Sequence, residues 1–205
     1  MPSVIIRGVE QGTEEWLALR LGIPTASCMD KIVTTRGEPS KQAEKYMYQL
    51  AAERITGRPT TTYKSWQMQE GNEREAESRL YYEMATGHAV EQVTFVYGDE
   101  SKQWGCSPDG LIDETGGYET KNPEAHTHCE RLLKCADKVP TDYVVQVQSS
   151  LLFTGRQWWQ FMSYYPGLRS IIVTVEPDYK LHRAMSQLLA DFCGQLDEVT
   201  KRIAG

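Results

Sequence analysis

Apolar positions recur along the chain with two different periods, and the changes between them divide it into helices and strands. Val4-Ile5-Ile6 is a short apolar run, broken by Gln11-Gly12-Thr13 before Glu14–Arg20. There a threonine cap and early acids predict a helix that Gly22 ends. Helical spacing returns at Ala43, Met47, Leu50, Ala51 and Ile55, so a helix capped by Ser40 is expected to run to Gly57. Pro59 to Tyr63 is polar connector, and Ser65 to Thr86 predicts a long helix containing Gly71 and stopped by Gly87. Val90 to Tyr97, Trp104 to Ile112 and Tyr118 to Asn122 then read as strands. Ala125 to Ala136 is helical in pattern, and Pro140-Thr141-Asp142 opens a further helix over Tyr143 to Phe153, ended by Gly155. Trp158 to Tyr164 and Ser170 to Val175 are rich in β-formers and are expected to pair across Pro166-Gly167. A last helix, Pro177 to Ile203, carries Leu181, Met185, Leu188, Leu189, Phe192, Leu196 and Val199 on one side. This order predicts an α/β fold, a mixed central β-sheet flanked by α-helices, with residues 1–205 forming a single domain.

Composition narrows the class. At 205 residues the chain can bury a substantial core, and 40 % apolar with 24 % charged residues is ordinary for a soluble globular protein. No stretch is long and apolar enough for a bilayer and no secretory leader opens the chain, so a cytoplasmic protein without membrane contact is expected. The 5 cysteines are odd in number and lack zinc-type spacing, which favours reduced thiols. His126, His128 and Cys129 crowd together, yet polar residues entering a helix account for them. A net charge of −6 argues against indiscriminate nucleic-acid binding, although carboxylates gathered for a metal would contribute to it.

The chemistry concentrates in Ser107-Pro108-Asp109-Gly110-Leu111-Ile112-Asp113, followed by Gly116-Gly117 and Tyr118-Glu119-Thr120-Lys121. Pro108 and Gly110 shape the backbone around Asp109, and Gly116-Gly117 is expected to reverse the chain into a second strand. On that strand Glu119 and Lys121 share a face, while Thr120 points away and offers its backbone carbonyl. Magnesium takes one or two carboxylates and leaves its other positions to water and phosphate, a demand Asp109 and Glu119 would meet. Lys121, its pKa lowered by burial and an adjacent cation, would hold or deprotonate the attacking water. Either piece alone is explained by turn chemistry or a solvated strand face; the ordered pair outlines a hydrolytic phosphodiester site.

These segments resemble the PD-(D/E)xK nuclease signature, and the surrounding sequence is similar to its phage lambda exonuclease, or YqaJ-like, branch. Further matches in the same order are Glu15 to Gly22, Thr25-Ala26-Ser27, Gly71 with Glu75, Asp99-Glu100-Ser101 and Gln146-Val147-Gln148. The resemblance implies a restriction-endonuclease-like core and a Mg²⁺-dependent exonuclease, with one or two ions and with Mn²⁺ able to substitute. It would digest one strand of linear double-stranded DNA from the 5′ end to 5′-mononucleotides, leaving 3′ overhangs for recombination. By the same resemblance, Asp109, Glu119 and the Thr120 carbonyl bind metal, and Lys121, Glu75 and Gln146 arrange the water. Arg20 and Ser27 hold the 5′ phosphate, Asp99 supports the site, Arg36 lies one residue out of register with a DNA-touching position, and Met68 matches an apolar wedge at the duplex end. For Gln146, a buried glutamine bonded to backbone is the rival reading. A homotrimeric ring around DNA, a single-strand annealing partner and a bacterial host cytoplasm are implied as well. Two alternatives stand beside this reading: an endonuclease of the same core, and a nuclease-like module that only binds DNA or acts as a scaffold.

Overall fold

The computed structural model of the chain describes residues 2–60 and 66–205, and in the helix beginning at Trp66 it describes side chains from Arg74 onward. In chain order the elements are β1 (Val4–Ile6), α1 (Glu14–Arg20), a 3-10 segment (Ala26–Lys31), α2 (Ala43–Thr56) and α3 (Trp66–Thr86). The strands β2 (Phe95–Tyr97), β3 (Gly105–Cys106), β4 (Gly110–Ile112) and β5 (Gly116–Lys121) follow. After them come α4 (Ala125–Lys134), α5 (Thr141–Thr154), β6 (Trp158–Ser163), β7 (Ile171–Val175) and α6 (Tyr179–Ala204). Thr13 caps α1 by accepting from the Trp16 amide, as its sequence predicts, whereas α2 begins at Ala43, later than the expected Ser40 cap. Ser40 instead closes a turn, its carbonyl accepting from the Ala43 amide. Asp178 caps α6 through the Leu181 amide.

The mixed α/β architecture with flanking helices is present, but its strands pair in two groups. One is antiparallel in the order β1-β2-β3, and the other is mixed in the order β4-β5-β6-β7, with β5 and β6 parallel. A parallel pair needs a long crossover, and α4 and α5 supply it. The division falls where the sequence predicts one strand from Trp104 to Ile112. Pro108 has no amide to donate to a ladder, and the Gln11 side-chain amide takes the Pro108 carbonyl at 3.0 Å and the Val93 carbonyl at 3.1 Å. The expected Val90–Tyr97 strand is likewise shared between the two groups. Glu91 exchanges backbone bonds with Leu111, while Phe95–Tyr97 pairs with β1.

Alternation along β5 and β6 buries both faces of the second sheet. On one face Trp159 and Phe161 join Val147 and Leu151 of α5 and residues of α2 and α6, including Leu50, Met185 and Leu196, in the main core. On the other, Tyr118 and Met162 pack with Tyr82 of α3. The turn into β5 differs from expectation, because Gly116 and Gly117 are strand residues rather than the reversal. Their missing side chains make room for tryptophans: a Cβ on Gly116 would lie 2.3 Å from the Trp158 ring, and one on Gly117 would lie 2.2 Å from Trp159. The reversal itself uses Asp113, at φ 47°, and Arg156 clamps it by donating Nη1 to the carbonyls of Ile112, Asp113 and Gly116.

All 5 cysteines are free thiols. His126, His128 and Cys129 lie on α4, and both His128 ring nitrogens are engaged, Nδ1 with Ser163 Oγ and Nε2 with the Arg169 carbonyl, each at 3.0 Å. Among the described residues no helix is long and apolar enough to cross a membrane.

Gly117→Ala is expected to lower stability by about 1–3 kcal/mol, the usual cost of forcing a methyl group into a filled core. Urea denaturation followed by tryptophan fluorescence measures this, and an unchanged midpoint would mean that Trp159 yields freely.

Candidate active site

Strand alternation sets the first part of the site. Glu119 and Lys121 project from the α5 face of β5, and Thr120 projects from the opposite face, where its hydroxyl meets Ser78 Oγ of α3 at 3.2 Å. Glu119 is 2 % exposed. Its Oε1 accepts from Lys121 Nζ at 2.5 Å and from Gln146 Nε2 at 2.6 Å, while Oε2 is buried with no hydrogen-bond partner among the described residues. Asp109 reaches the same strand by another route. β4 begins only at Gly110, paired with Tyr118, so the Thr120 amide lies beyond the end of that ladder. Asp109 Oδ2 accepts from that amide at 2.7 Å. Glu75 is brought in by α3 one turn before Ser78, whose hydroxyl donates to the Glu75 carbonyl at 3.0 Å.

Three carboxyl groups therefore share one ammonium. Burial raises the Asp109 pKa well above its ordinary value, and Glu119 and Glu75 add to the rise against the opposing pull of Lys121 and the Thr120 amide. Burial likewise raises Glu75, with Arg79 opposing and Glu119 reinforcing. For Lys121, burial works against the charged form, but Glu119 and Asp109 outweigh it and hold the pKa above the ordinary lysine value. With only carboxylates facing it on this strand and loop, the ammonium is held charged; the lowered pKa expected from the sequence belongs to a lysine beside a bound cation.

This excess of negative charge, with a buried bare oxygen at its centre, fits a hard cation. Among the described residues no group of three or more His, Cys, Asp or Glu side chains is arranged to hold a metal. A cation here would rely on Asp109, Glu119 and the Thr120 carbonyl, the sparse oxygen set that suits magnesium. When bound, such an ion polarises a phosphate oxygen and acidifies water.

A second cluster forms around Ser107. The Arg20 guanidinium lies 4.2 Å from the Trp16 ring centroid, as residues four apart on a helix allow. Arg20 Nη1 and Trp16 Nε1 both donate to Ser107 Oγ at 2.9 Å. Burial lowers the Arg20 pKa, with Cys28, Tyr46, Cys106 and Glu53 pulling the other way. Ser27 is exposed, its Oγ 3.3 Å from Thr25 Oγ1, and the bridge between Thr25 and Gly105 sets it beside the strand that leads to Ser107. The sequence places Ser107 in the central motif, inside the expected Trp104 to Ile112 strand, and gives neither Ser107 nor Trp16 a role of its own. The spacing of Trp16 and Arg20 was visible, but their shared partner, distant in sequence, was not.

The remaining predicted residues fall elsewhere. Asp99 is bound into its own turn, its Oδ1 accepting from the amide and the hydroxyl of Ser101. Arg36 is exposed in a turn closed by the Gly37 amide on the Thr34 carbonyl. The side chain of Met68 lies outside the described residues. Gln146 and Gln148 divide the two roles considered for glutamine. Gln146 contacts Glu119, whereas Gln148 bonds the backbone of Glu176 and Asp178 before α6.

Comparison with known proteins bears on this arrangement. Residues 15–157, which include both clusters, match the YqaJ-like viral recombinase domain. The crystal structure of an alkaline exonuclease from Laribacter hongkongensis is 31 % identical, with TM-score 0.82 over 93 % of this chain and 96 % of that one. A structure of that enzyme in complex with dAMP matches with the same figures, 31 % identity, TM-score 0.82 and coverage of 93 % and 96 %. A phage-related exonuclease from Haemophilus somnus 129PT is 13 % identical, with TM-score 0.64 over 88 % of this chain and 96 % of that one, a likeness of fold alone. A search of curated proteins finds no match. On the length of the domain match and the identity to the alkaline exonuclease, the chain belongs to the YqaJ-like viral recombinase family.

Proposed function

We propose that the protein is a Mg²⁺-dependent exonuclease that digests one strand of linear duplex DNA from its 5′ end, releasing 5′-mononucleotides and leaving a 3′ single strand for recombination. The observation that carries this reading is the Glu119 carboxylate, one oxygen held by Lys121 and Gln146 and the other bare, beside Asp109 and Glu75. Family membership supports a DNA exonuclease role, and a relative bound to dAMP is consistent with a mononucleotide product.

In this reading Asp109, Glu119 and the Thr120 carbonyl hold the cation. Lys121 donates from the side of Glu119 and orients the attacking water, Gln146 keeps Glu119 from rotating, and Glu75 faces the same water from α3. Positioning of this kind lowers the barrier by fixing the reacting atoms in advance. Arg20 and Ser27 grip the terminal 5′ phosphate, for which a planar guanidinium supplies paired, charge-assisted bonds. Ser107, which ties Arg20 to the segment carrying Asp109, joins that grip to the cleavage site. A homotrimer around the DNA, a single-strand annealing partner and a bacterial cytoplasmic setting complete the proposal.

The direct test uses linear duplex DNA labelled at the 5′ or the 3′ end, with and without Mg²⁺, beside a closed circle. Early Mg²⁺-dependent release of the 5′ label as mononucleotide, with the circle intact, is expected. A cut circle would instead indicate an endonuclease, and binding without cleavage a DNA-binding module. Lys121→Ala is expected to abolish turnover while DNA binding, read by fluorescence anisotropy, stays close to wild type; a normal cleavage rate would reject the role given to Lys121. Arg20→Ala should narrow the preference for a 5′-phosphorylated over a 5′-hydroxyl end. Competition between the two substrates measures this, and an undiminished preference would remove Arg20 from the phosphate grip.

A further inference from the structure

α5 turns a second side chain toward the Glu119–Lys121 pair. Tyr143 precedes Gln146 by one helical turn, so the two share a face. The Lys121 ammonium lies 5.2 Å from the Tyr143 ring centroid, inside the range of about 6 Å over which a ring face attracts a cation. The ring is fixed in turn by its other neighbours. Phe161 of β6 lies 5.6 Å away at an interplanar angle of 31°. The Arg131 guanidinium of α4 lies 5.0 Å from the Tyr143 centroid, and its Nη2 donates to the tyrosine hydroxyl at 2.9 Å. Arg131 is itself anchored to the sheet, donating Nη1 to Ser163 Oγ at 3.2 Å, the same hydroxyl that meets His128.

A lysine ammonium sits on a flexible four-carbon stem and loses much rotamer entropy when held in one place. A hydrogen bond to Glu119 fixes one direction only. An aromatic face on another side restricts the rest.

We propose that Tyr143 is a positioning residue for Lys121: its ring, packed on Phe161 and against the Arg131 guanidinium, holds the ammonium against Glu119. This rests on the role given to Lys121 above. The ring face, not the hydroxyl or the apolar volume, carries the effect. Tyr143→Phe keeps the face and gives up only the bond from Arg131, whereas Tyr143→Leu keeps an apolar, though smaller, side chain and gives up the face.

The experiment is steady-state cleavage of 5′-phosphorylated linear duplex in Mg²⁺ by the wild type and both variants, with thermal melting run in parallel. For Tyr143→Leu, kcat should fall about tenfold or more, as misplacement of a reacting group does, while KM stays within about twofold. Tyr143→Phe should retain most of the wild-type kcat. Equal losses in the two variants, an unchanged kcat in Tyr143→Leu, or a loss carried by KM alone would overturn the proposal. A second reading needs neither a folded variant at Tyr143 nor cleavage by the wild type. In protein labelled at the lysine ε-carbon, the Lys121 ε-methylene protons, identified by their loss in Lys121→Arg, should resonate upfield of the other lysines under the ring current. Resonance among the other lysines would overturn the positioning contact, and a wild type that shows the shift without cleaving DNA would overturn the proposed function alone.

Discussion

The site depends on a carboxylate kept almost entirely from water. Taking an ion out of water costs several kcal/mol even after the protein relaxes, and a partner must be present to offset it. Glu119 has Lys121 and Gln146, but both donate to the same oxygen. Among the described residues the other oxygen finds no bond, at a cost of about 1–3 kcal/mol for an unsatisfied buried acceptor. The surroundings raise that cost, since Asp109 and Glu75 bring further negative charge and are themselves pushed toward protonation. A packing solution would place an apolar residue at this point in β5. Strain of this kind concentrates at functional sites, and here it favours whatever positive charge comes to the bare oxygen.

The long amphipathic elements were legible because their period is stated many times over. The apolar positions from Leu181 to Leu196 recur for several turns, and α6 runs close to its expected limits, as do α5 and the β6–β7 pair. Short elements lacked that redundancy. The run from Trp104 to Ile112 has enough β-formers for one strand, yet the break at Ser107-Pro108-Asp109 depends on Gln11, a residue far away in sequence, taking over a carbonyl. Gly116-Gly117 reads locally as a turn. Its use in the fold is set by the rings of Trp158 and Trp159 on the neighbouring strand, which a local reading does not include.

Legibility of the site followed the same division. A strand period of two placed Glu119 and Lys121 on one face with no tertiary information, and Thr120 on the other, where Ser78 receives it. The choice between Gln146 and Gln148 could not be made from spacing, because both lie early in one helix and only the packing of α5 decides which faces the sheet. The direction of the Lys121 pKa follows the charges that face it: here they are Glu119 and Asp109, whereas the lowering expected from the sequence belongs to a lysine beside a bound cation.

The interruption that divides the sheets also joins the two clusters. Had residues 104–112 formed one continuous strand, the Thr120 amide would have found a backbone partner and Asp109 would have had no reason to turn toward β5. Because the ladder stops at Gly110, the Asp109 carboxylate takes that amide, and Ser107, two residues earlier, is free to accept from Arg20 and Trp16. A single tripeptide therefore sets the spacing between a guanidinium suited to a terminal phosphate and carboxylates suited to a cation. Backbone geometry leaves little slack over so short a span. On the proposed function, the same break in the strand decides both where a DNA end is held and where it is cut.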